Sequence, residues 1–137
     1  MRVLIDTNVL FSAVYRPGSV PHQALMKAAT HPFRCLVCEQ CFSELRRKFI
    51  IKFPDRIDDL DVFIEIVESL VEIIPMSEPA PTGLNDLRDP DDIPILNAAI
   101  AAKADIIISG DLDFLESNVP KPIIMKAADF VKLEYQN

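Results

Sequence analysis

Three glycines in 137 residues leave little room for phosphate loops or strained catalytic turns. Neither a P-loop nor the nucleophile elbow of a serine hydrolase is present. The longest apolar runs are strand-length, well short of a bilayer span, and the first residues lack the charged-then-apolar layout of a signal peptide. No membrane association is expected, and the expected compartment is the cytoplasm. Basic residues are in deficit, 14 against 21 acidic ones for a net charge of −7. That balance argues against a general nucleic-acid coat protein. It leaves open an enzyme whose acids are concentrated in a metal site.

Cysteine is scarce as well. Cys35, Cys38 and Cys41 are regularly spaced behind His31, as a zinc or iron–sulfur ligand set could be. However, residues 33–37 read as a strand, which would put Cys35 and Cys38 on opposite faces. There is no second cysteine pair. Reduced, buried thiols are the expectation.

What is there is apolar and punctuated. Half the residues are hydrophobic, enough for one domain over residues 1–137 with a substantial core. Arg2-Val3-Leu4-Ile5 reads as a strand ending in Asp6, followed by a helix over 7–15 that the turn Arg16-Pro17-Gly18 breaks. Ser19 is a cap for a second helix, which His31-Pro32 stops. After the strand at 33–37, a helix is predicted over 39–52. Pro54 separates it from another over 57–71, where Ile57, Leu60, Ile64, Val67 and Val71 keep a helical period. Phe63, Ile66 and Leu70 widen that stripe, so the helix is either buried on two sides or forms a dimer contact.

Further strands are read at 72–74, 106–108 and 123–125, with helices over 92–103 and around Phe130 and Val131. A long loop with Pro75, Pro79, Pro81 and Gly83 lies between the first two of these segments. The run Ile106-Ile107-Ile108 lacks polar alternation, as a strand covered on both faces should. Strands alternating with helices predict an α/β fold with a mainly parallel central sheet flanked by helices.

In such sheets ligands bind outside the carboxyl ends of the strands. Asp6 follows the first strand directly and Asp111 lies just past the continuously apolar one. If those strands are neighbours, ~5 Å apart, their carboxylates share a cleft and a cation between them relieves the repulsion. Carboxylates without a histidine or cysteine cluster suit Mg²⁺ or Mn²⁺. Each acid also has a local reading. Asp6 is placed to cap the helix after it. Asp89, Asp91 and Asp92 precede a helix whose first turn must hold Pro94, making Asp91 a cap and Asp92 the more available ligand. Glu44 suits a solvated helix face and Asp113 a loop.

Taken together the acids form a pattern. Asp6-Thr7-Asn8 after the first strand, Ser43-Glu44-Leu45, Asp89-Pro90-Asp91-Asp92 before an Ala-rich helix, and the segment from Ala104 through Ser109-Gly110-Asp111-Leu112-Asp113 to Leu115 stand in order. This sequence resembles the PIN domain family of nucleases over nearly its whole length, and most of all the toxins of toxin–antitoxin systems. The resemblance implies a three-layer PIN-like sandwich. It implies metal-binding and catalytic roles for Asp6, Glu44, Asp92 and Asp111, with Thr7, Asn8, Ser109, Asp113 and Asp91 in support. The implied activity is Mg²⁺- or Mn²⁺-dependent hydrolysis of RNA, in which the metal activates a water that attacks the phosphodiester and leaves a 5′-phosphate. An antitoxin partner and a homodimer are implied too.

Arg46-Arg47-Lys48, with Lys52 one turn on, follow Glu44 on one helix. They form either an ordinary solvated face or a patch guiding RNA phosphates toward the acids. Two other readings use the same α/β fold: a receiver-like phosphoacceptor and a non-catalytic interaction module. A receiver would want paired acids after the first strand and a late lysine, whereas Asp6 is followed by Thr7-Asn8 and Ser109-Gly110-Asp111 offers no lysine. A haloacid-dehalogenase-type phosphatase would need an aspartate where Asn8 stands.

Overall fold

The protein is described from a computed structural model, which places residues 1–75, 93–110 and 122–134. Five parallel strands form one sheet: β1 (Arg2–Ile5), β2 (Arg34–Cys38), β3 (Glu72–Ile74), β4 (Ile106–Ile108) and β5 (Ile123–Met125). Their order is β3-β2-β1-β4-β5. The described helices are α1 (Thr7–Tyr15), α2 (Val20–Ala28), α3 (Glu39–Lys52), α4 (Ile57–Leu70), α5 (Ile93–Ala101) and α6 (Ala127–Lys132). A 3₁₀ turn at Pro54–Arg56 joins α3 to α4.

The chain winds from β1 to β2 to β3 in one direction, then returns across the sheet to β4 and β5. Right-handed crossovers therefore put α1 to α4 on one face and α5 on the other. This three-layer α/β arrangement is the one the alternating pattern predicts. The direction reverses between β1 and β4, and such a switch point opens a crevice at the carboxyl ends of the two strands.

The central strands are apolar because both faces are covered. Val3, Leu4 and Ile5 are fully buried, as are Leu36, Val37, Ile107 and Ile108. Burying each large aliphatic side chain contributes roughly 1.5–3 kcal/mol, so these short strands anchor the core despite their length. Cys35, Cys38 and Cys41 lie in that core as free thiols. Burial pushes the Cys35 thiol up to about 12, which keeps it protonated and unreactive. β2 runs one residue further than the sequence suggests, to Cys38, which also starts α3.

Helix boundaries follow their caps. Asp6 accepts a hydrogen bond from the Val9 N–H and Ser19 accepts one from the His22 N–H, fixing the starts of α1 and α2. α6 is held against α2 by Lys27, whose Nζ donates to the carbonyls of Phe130 at 2.8 Å and Val131 at 3.1 Å. A cation on the last carbonyls of a helix satisfies acceptors that have no partner within it.

α4 corrects one of the two readings of its broad stripe. Leu60, Ile64 and Val67 are buried, but Ile66 and Leu70 are exposed at 51% and 43%. Among the described residues the helix packs on one side, and the reading of burial on two sides does not hold for Ile66 and Leu70. The loop beyond Pro75, and Asp91, Asp92, Asp111 and Asp113, lie outside the described residues.

Candidate functional site

β1 and β4 are adjacent, with Ile5 paired to Ile108. The Asp6 N–H donates to the Ile108 carbonyl at 3.2 Å, tying the two strand ends together. Asp6 thus stands at the mouth of the switch-point crevice, and Ser109 stands opposite it on the neighbouring strand. The Ser109 hydroxyl donates to Asp6 Oδ2 at 2.6 Å, while Asp6 Oδ1 accepts from the Val9 N–H at 3.1 Å. Both residues are buried, Asp6 to within 5% and Ser109 completely.

The capping and ligand roles of Asp6 are compatible. Each carboxylate oxygen carries two acceptor sites, so accepting from a capping N–H or a hydroxyl does not by itself prevent a carboxylate from binding a cation. The cap also fixes the side-chain rotamer, which orients the carboxylate before anything binds.

Glu44 comes from the second turn of α3. Its Oε2 accepts from the Thr7 hydroxyl at 3.1 Å, which brings the second acid to the first turn of α1 beside Asp6. One residue connects the two independently. The Cys41 thiol, buried one turn before Glu44, lies in the electrostatic field of both Glu44 and Asp6 and also contacts the Thr7 hydroxyl. Cys38 is hydrogen-bonded to Cys41, and that bond, reinforced by burial, holds the Cys38 thiol well above its ordinary range. These thiols form the floor beneath the acids. Sequence spacing did not mark them as such, because the helix–strand junction that orients them is a tertiary feature.

Asn8 continues the rim: its Oδ1 accepts from Lys48 Nζ at 3.0 Å. On the other side of α1, Asn8, Val9 and Ser12 line an open cavity of about 280 Å³ together with Gly110, Pro21 and Ala127. This cavity opens beside Gly110, the residue before Asp111.

The basic residues of α3 divide between two faces. Arg46 turns to α4 and pairs with Asp61 at 2.7 Å, whereas Lys48 faces α1 and Lys52 sits 5.8 Å from the Phe11 ring centroid. Arg47 is exposed. One polar residue escaped sequence reasoning altogether. Asn97 on α5 is buried, and neither its amide oxygen nor its nitrogen finds a hydrogen-bond partner among the described residues. Its only signal was a lone amide within an apolar, Ala-rich helix.

The donor set gathered here is oxygen: two carboxylates braced by two hydroxyls. Among the described residues no group of three or more His, Cys, Asp or Glu side chains is placed to hold a metal ion. Oxygen donors of this kind fit a hard divalent cation better than a soft one.

Known proteins resemble this chain in sequence or in fold. A protein of Methanocaldococcus jannaschii whose function is uncharacterised is 28% identical, aligned over 84% of this chain and 74% of its own length. The crystal structure of VapBC2 from Rickettsia felis, bound to a DNA fragment from its promoter, superposes with a TM-score of 0.69 at 18% identity, covering 92% of this chain and 98% of that one. The family profile described as the PIN domain matches residues 2–113, which span β1 through β4 and carry every acid singled out above. The chain belongs to the PIN domain family of nucleases.

Proposed function

We propose that the protein is a divalent-metal-dependent endoribonuclease and the toxin of a toxin–antitoxin pair. One observation carries the reading: Asp6 and Glu44, far apart in sequence, are held by Ser109 and Thr7 at one edge of the switch-point crevice. In this reading Asp6, Glu44, Asp92 and Asp111 hold Mg²⁺ or Mn²⁺ and are the catalytic acids. Thr7, Asn8, Ser109, Asp91 and Asp113 support them. The bound cation would lower the pKa of a coordinated water and offset phosphate charge. The chain's own contribution is orientation. Ser109 and the Val9 N–H fix the Asp6 carboxylate, and Thr7 fixes that of Glu44, so the ligands need not reorganise.

An antitoxin partner follows from likeness to the VapBC2 assembly. Homodimerisation is proposed from the exposed apolar row Val62, Ile66 and Leu70 on α4, beside the edge strand β3, where Ile73 is also exposed. Light scattering on the purified chain tests that: a monomer at all concentrations would remove it. Membership of the PIN family sets the receiver-like alternative aside. As for compartment, no described helix is long and apolar enough to cross a membrane, which is consistent with a cytoplasmic enzyme.

The direct test incubates purified protein with single-stranded RNA in Mg²⁺, Mn²⁺ or a chelator, alongside an Asp6→Asn plus Asp111→Asn variant. Cleavage that requires the metal and disappears in the variant is expected. Equal cleavage by both proteins would identify a contaminant and end the reading.

A further inference from the structure

α1 and α3 begin at the same edge of the sheet and run side by side, joined by a series of side-chain rungs. The first is Thr7 to Glu44 and the second Asn8 to Lys48, both hydrogen bonds. The third sets the Lys52 ammonium 5.8 Å from the Phe11 ring centroid. The fourth stacks Tyr15 on Phe53, with centroids 4.8 Å apart and planes inclined by 18°. On α1 the partners Asn8, Phe11 and Tyr15 recur at helical spacing, and on α3 Glu44, Lys48 and Lys52 are each four residues apart, so each set occupies one face. At the far end two guanidinium groups converge on the Tyr15 ring, Arg16 at 5.6 Å and Arg56 at 6.0 Å from its centroid.

The seam is electropositive in a chain of net charge −7. Arg16, Lys48 and Lys52 are exposed and form no ion pair among the described residues. Among the described residues the one ion pair of Arg56 is a 3.6 Å contact to Asp59, whose side chain is itself 72% exposed. A set of contacts that served only to staple two helices would have no need to leave its cations unneutralised along the solvent edge. Tyr15, 38% exposed, offers an aromatic surface flanked by arginines rather than a sealed core contact.

We propose that this seam is the track for a single-stranded nucleic acid on one side of the scissile bond. Lys48 and Lys52, about one turn or ~6 Å apart along α3, neutralise successive phosphates. A base stacks at the Tyr15, Arg16 and Arg56 cluster, about 12 Å beyond Glu44 by helical rise. Arg46, locked to Asp61, is outside the track. An unpaired base is required, because a stacking platform of this type cannot reach a base inside a duplex. The track deepens the nuclease reading and relies on it for the chemistry at Glu44, but strand binding itself needs no cleavage.

The experiment is fluorescence anisotropy with a labelled single-stranded oligoribonucleotide of about twelve nucleotides, in chelator so that cleavage does not intervene. In a Lys48→Gln plus Lys52→Gln variant, whose altered side chains are both exposed, the slope of log affinity against log salt should fall by about 1.4, since each phosphate contact on a single strand contributes ~0.7. Tyr15→Leu should weaken binding about tenfold and Tyr15→Phe should restore it. Lys132→Gln, on α6, should change nothing. Circular dichroism confirms that each variant is folded. If the folded lysine variant keeps both its affinity and its salt slope, the track is wrong. It is equally wrong if an RNA duplex binds as tightly as the single strand. A chain that binds through these residues yet cuts nothing in Mg²⁺ or Mn²⁺ sinks the nuclease reading and leaves the track standing.

Discussion

The two ends of the sheet use the same kinds of side chain to opposite effect. At the amino ends of the strands, Glu72 receives Arg2 Nη2 at 2.5 Å and Arg34 Nε at 3.0 Å. The Arg2 N–H donates to Asp105 Oδ2, and its Nε donates to the Ala102 carbonyl. Here the acids meet cations and backbone donors, and the guanidinium of Arg2, followed by that of Arg34, holds the Glu72 carboxyl below its usual range. At the carboxyl ends, Asp6 is met by a hydroxyl and an N–H, and Glu44 by a hydroxyl. Glu44 forms no ion pair among the described residues. A neutralised cluster is electrostatically complete and holds the fold. A hydroxyl-braced one is oriented by its donors, and in the nuclease reading a bound cation supplies the neutralising charge.

The sharpest way to break this contrast is Asp6→Asn. Asparagine caps a helix about as well as aspartate, so α1 should start at the same place and stability should barely change. The negative charge is lost, however. If Asp6 is a ligand, turnover should fall by at least the roughly 10²–10³-fold that removal of one preorganised charge-stabilising group costs. Asp6→Ala should match that loss and in addition lose about 1 kcal/mol of stability with the cap. Should Asp6→Asn retain full RNA cleavage, Asp6 is a cap alone.

The braces come next. Thr7→Val and Ser109→Ala keep both acids and remove the hydroxyls that aim them. Apparent Mn²⁺ affinity, read by titrating activity or by calorimetry, should weaken by about 10- to 100-fold, as it does when outer partners of metal ligands are lost. Unchanged affinity in both variants would mean that the carboxylates are positioned by something else.

How much of this was legible beforehand depends on whether the information is local. β1 and β4 are readable because burial on both faces demands an unbroken apolar run, and Asp6 is readable because it ends one. α1, capped by Asp6 and broken at Arg16-Pro17-Gly18, has the bounds its sequence predicts. The adjacency of β1 and β4 was only a condition, since strand order depends on crossovers that no local pattern encodes. The division of Arg46 from Lys48 was equally hidden. Residues two apart on a helix point in different directions, and only the lateral packing of α3 between α1 and α4 assigns them partners. Ile66 and Leu70 show the same limit from the other side: periodicity marks them as apolar without saying what covers them.

Asn97 tests whether the polar residues near the core all belong to the site. Its buried amide makes no hydrogen bond among the described residues, and a buried polar group left unsatisfied costs about 1–3 kcal/mol. Leucine has the same branched shape, with bulkier methyl ends, and no such cost. Asn97→Leu should therefore raise the midpoint of denaturant unfolding by an amount corresponding to about 1–2 kcal/mol. A lower midpoint would mean that the amide has a partner and is part of the structure's polar framework rather than a burden on it.

Glu72 supplies the smallest effect and the cleanest contrast with Asp6. It is one-third exposed, so solvent screens its two ion pairs and Glu72→Gln should cost under about 1 kcal/mol at pH 7. Because its folded pKa is depressed, the stabilisation is fully present above the unfolded carboxyl value of about 4.3 and is lost as pH falls below that through the folded value. The stability gap between wild type and Glu72→Gln should accordingly be constant from neutral pH down to about pH 5 and close toward pH 3. RNA cleavage at neutral pH should be unaffected, since Glu72 lies at the opposite end of the sheet from Asp6. A gap that persists at pH 3 would mean that Glu72 acts through packing instead of charge, and the amino end would then owe its stability to something other than neutralised acids.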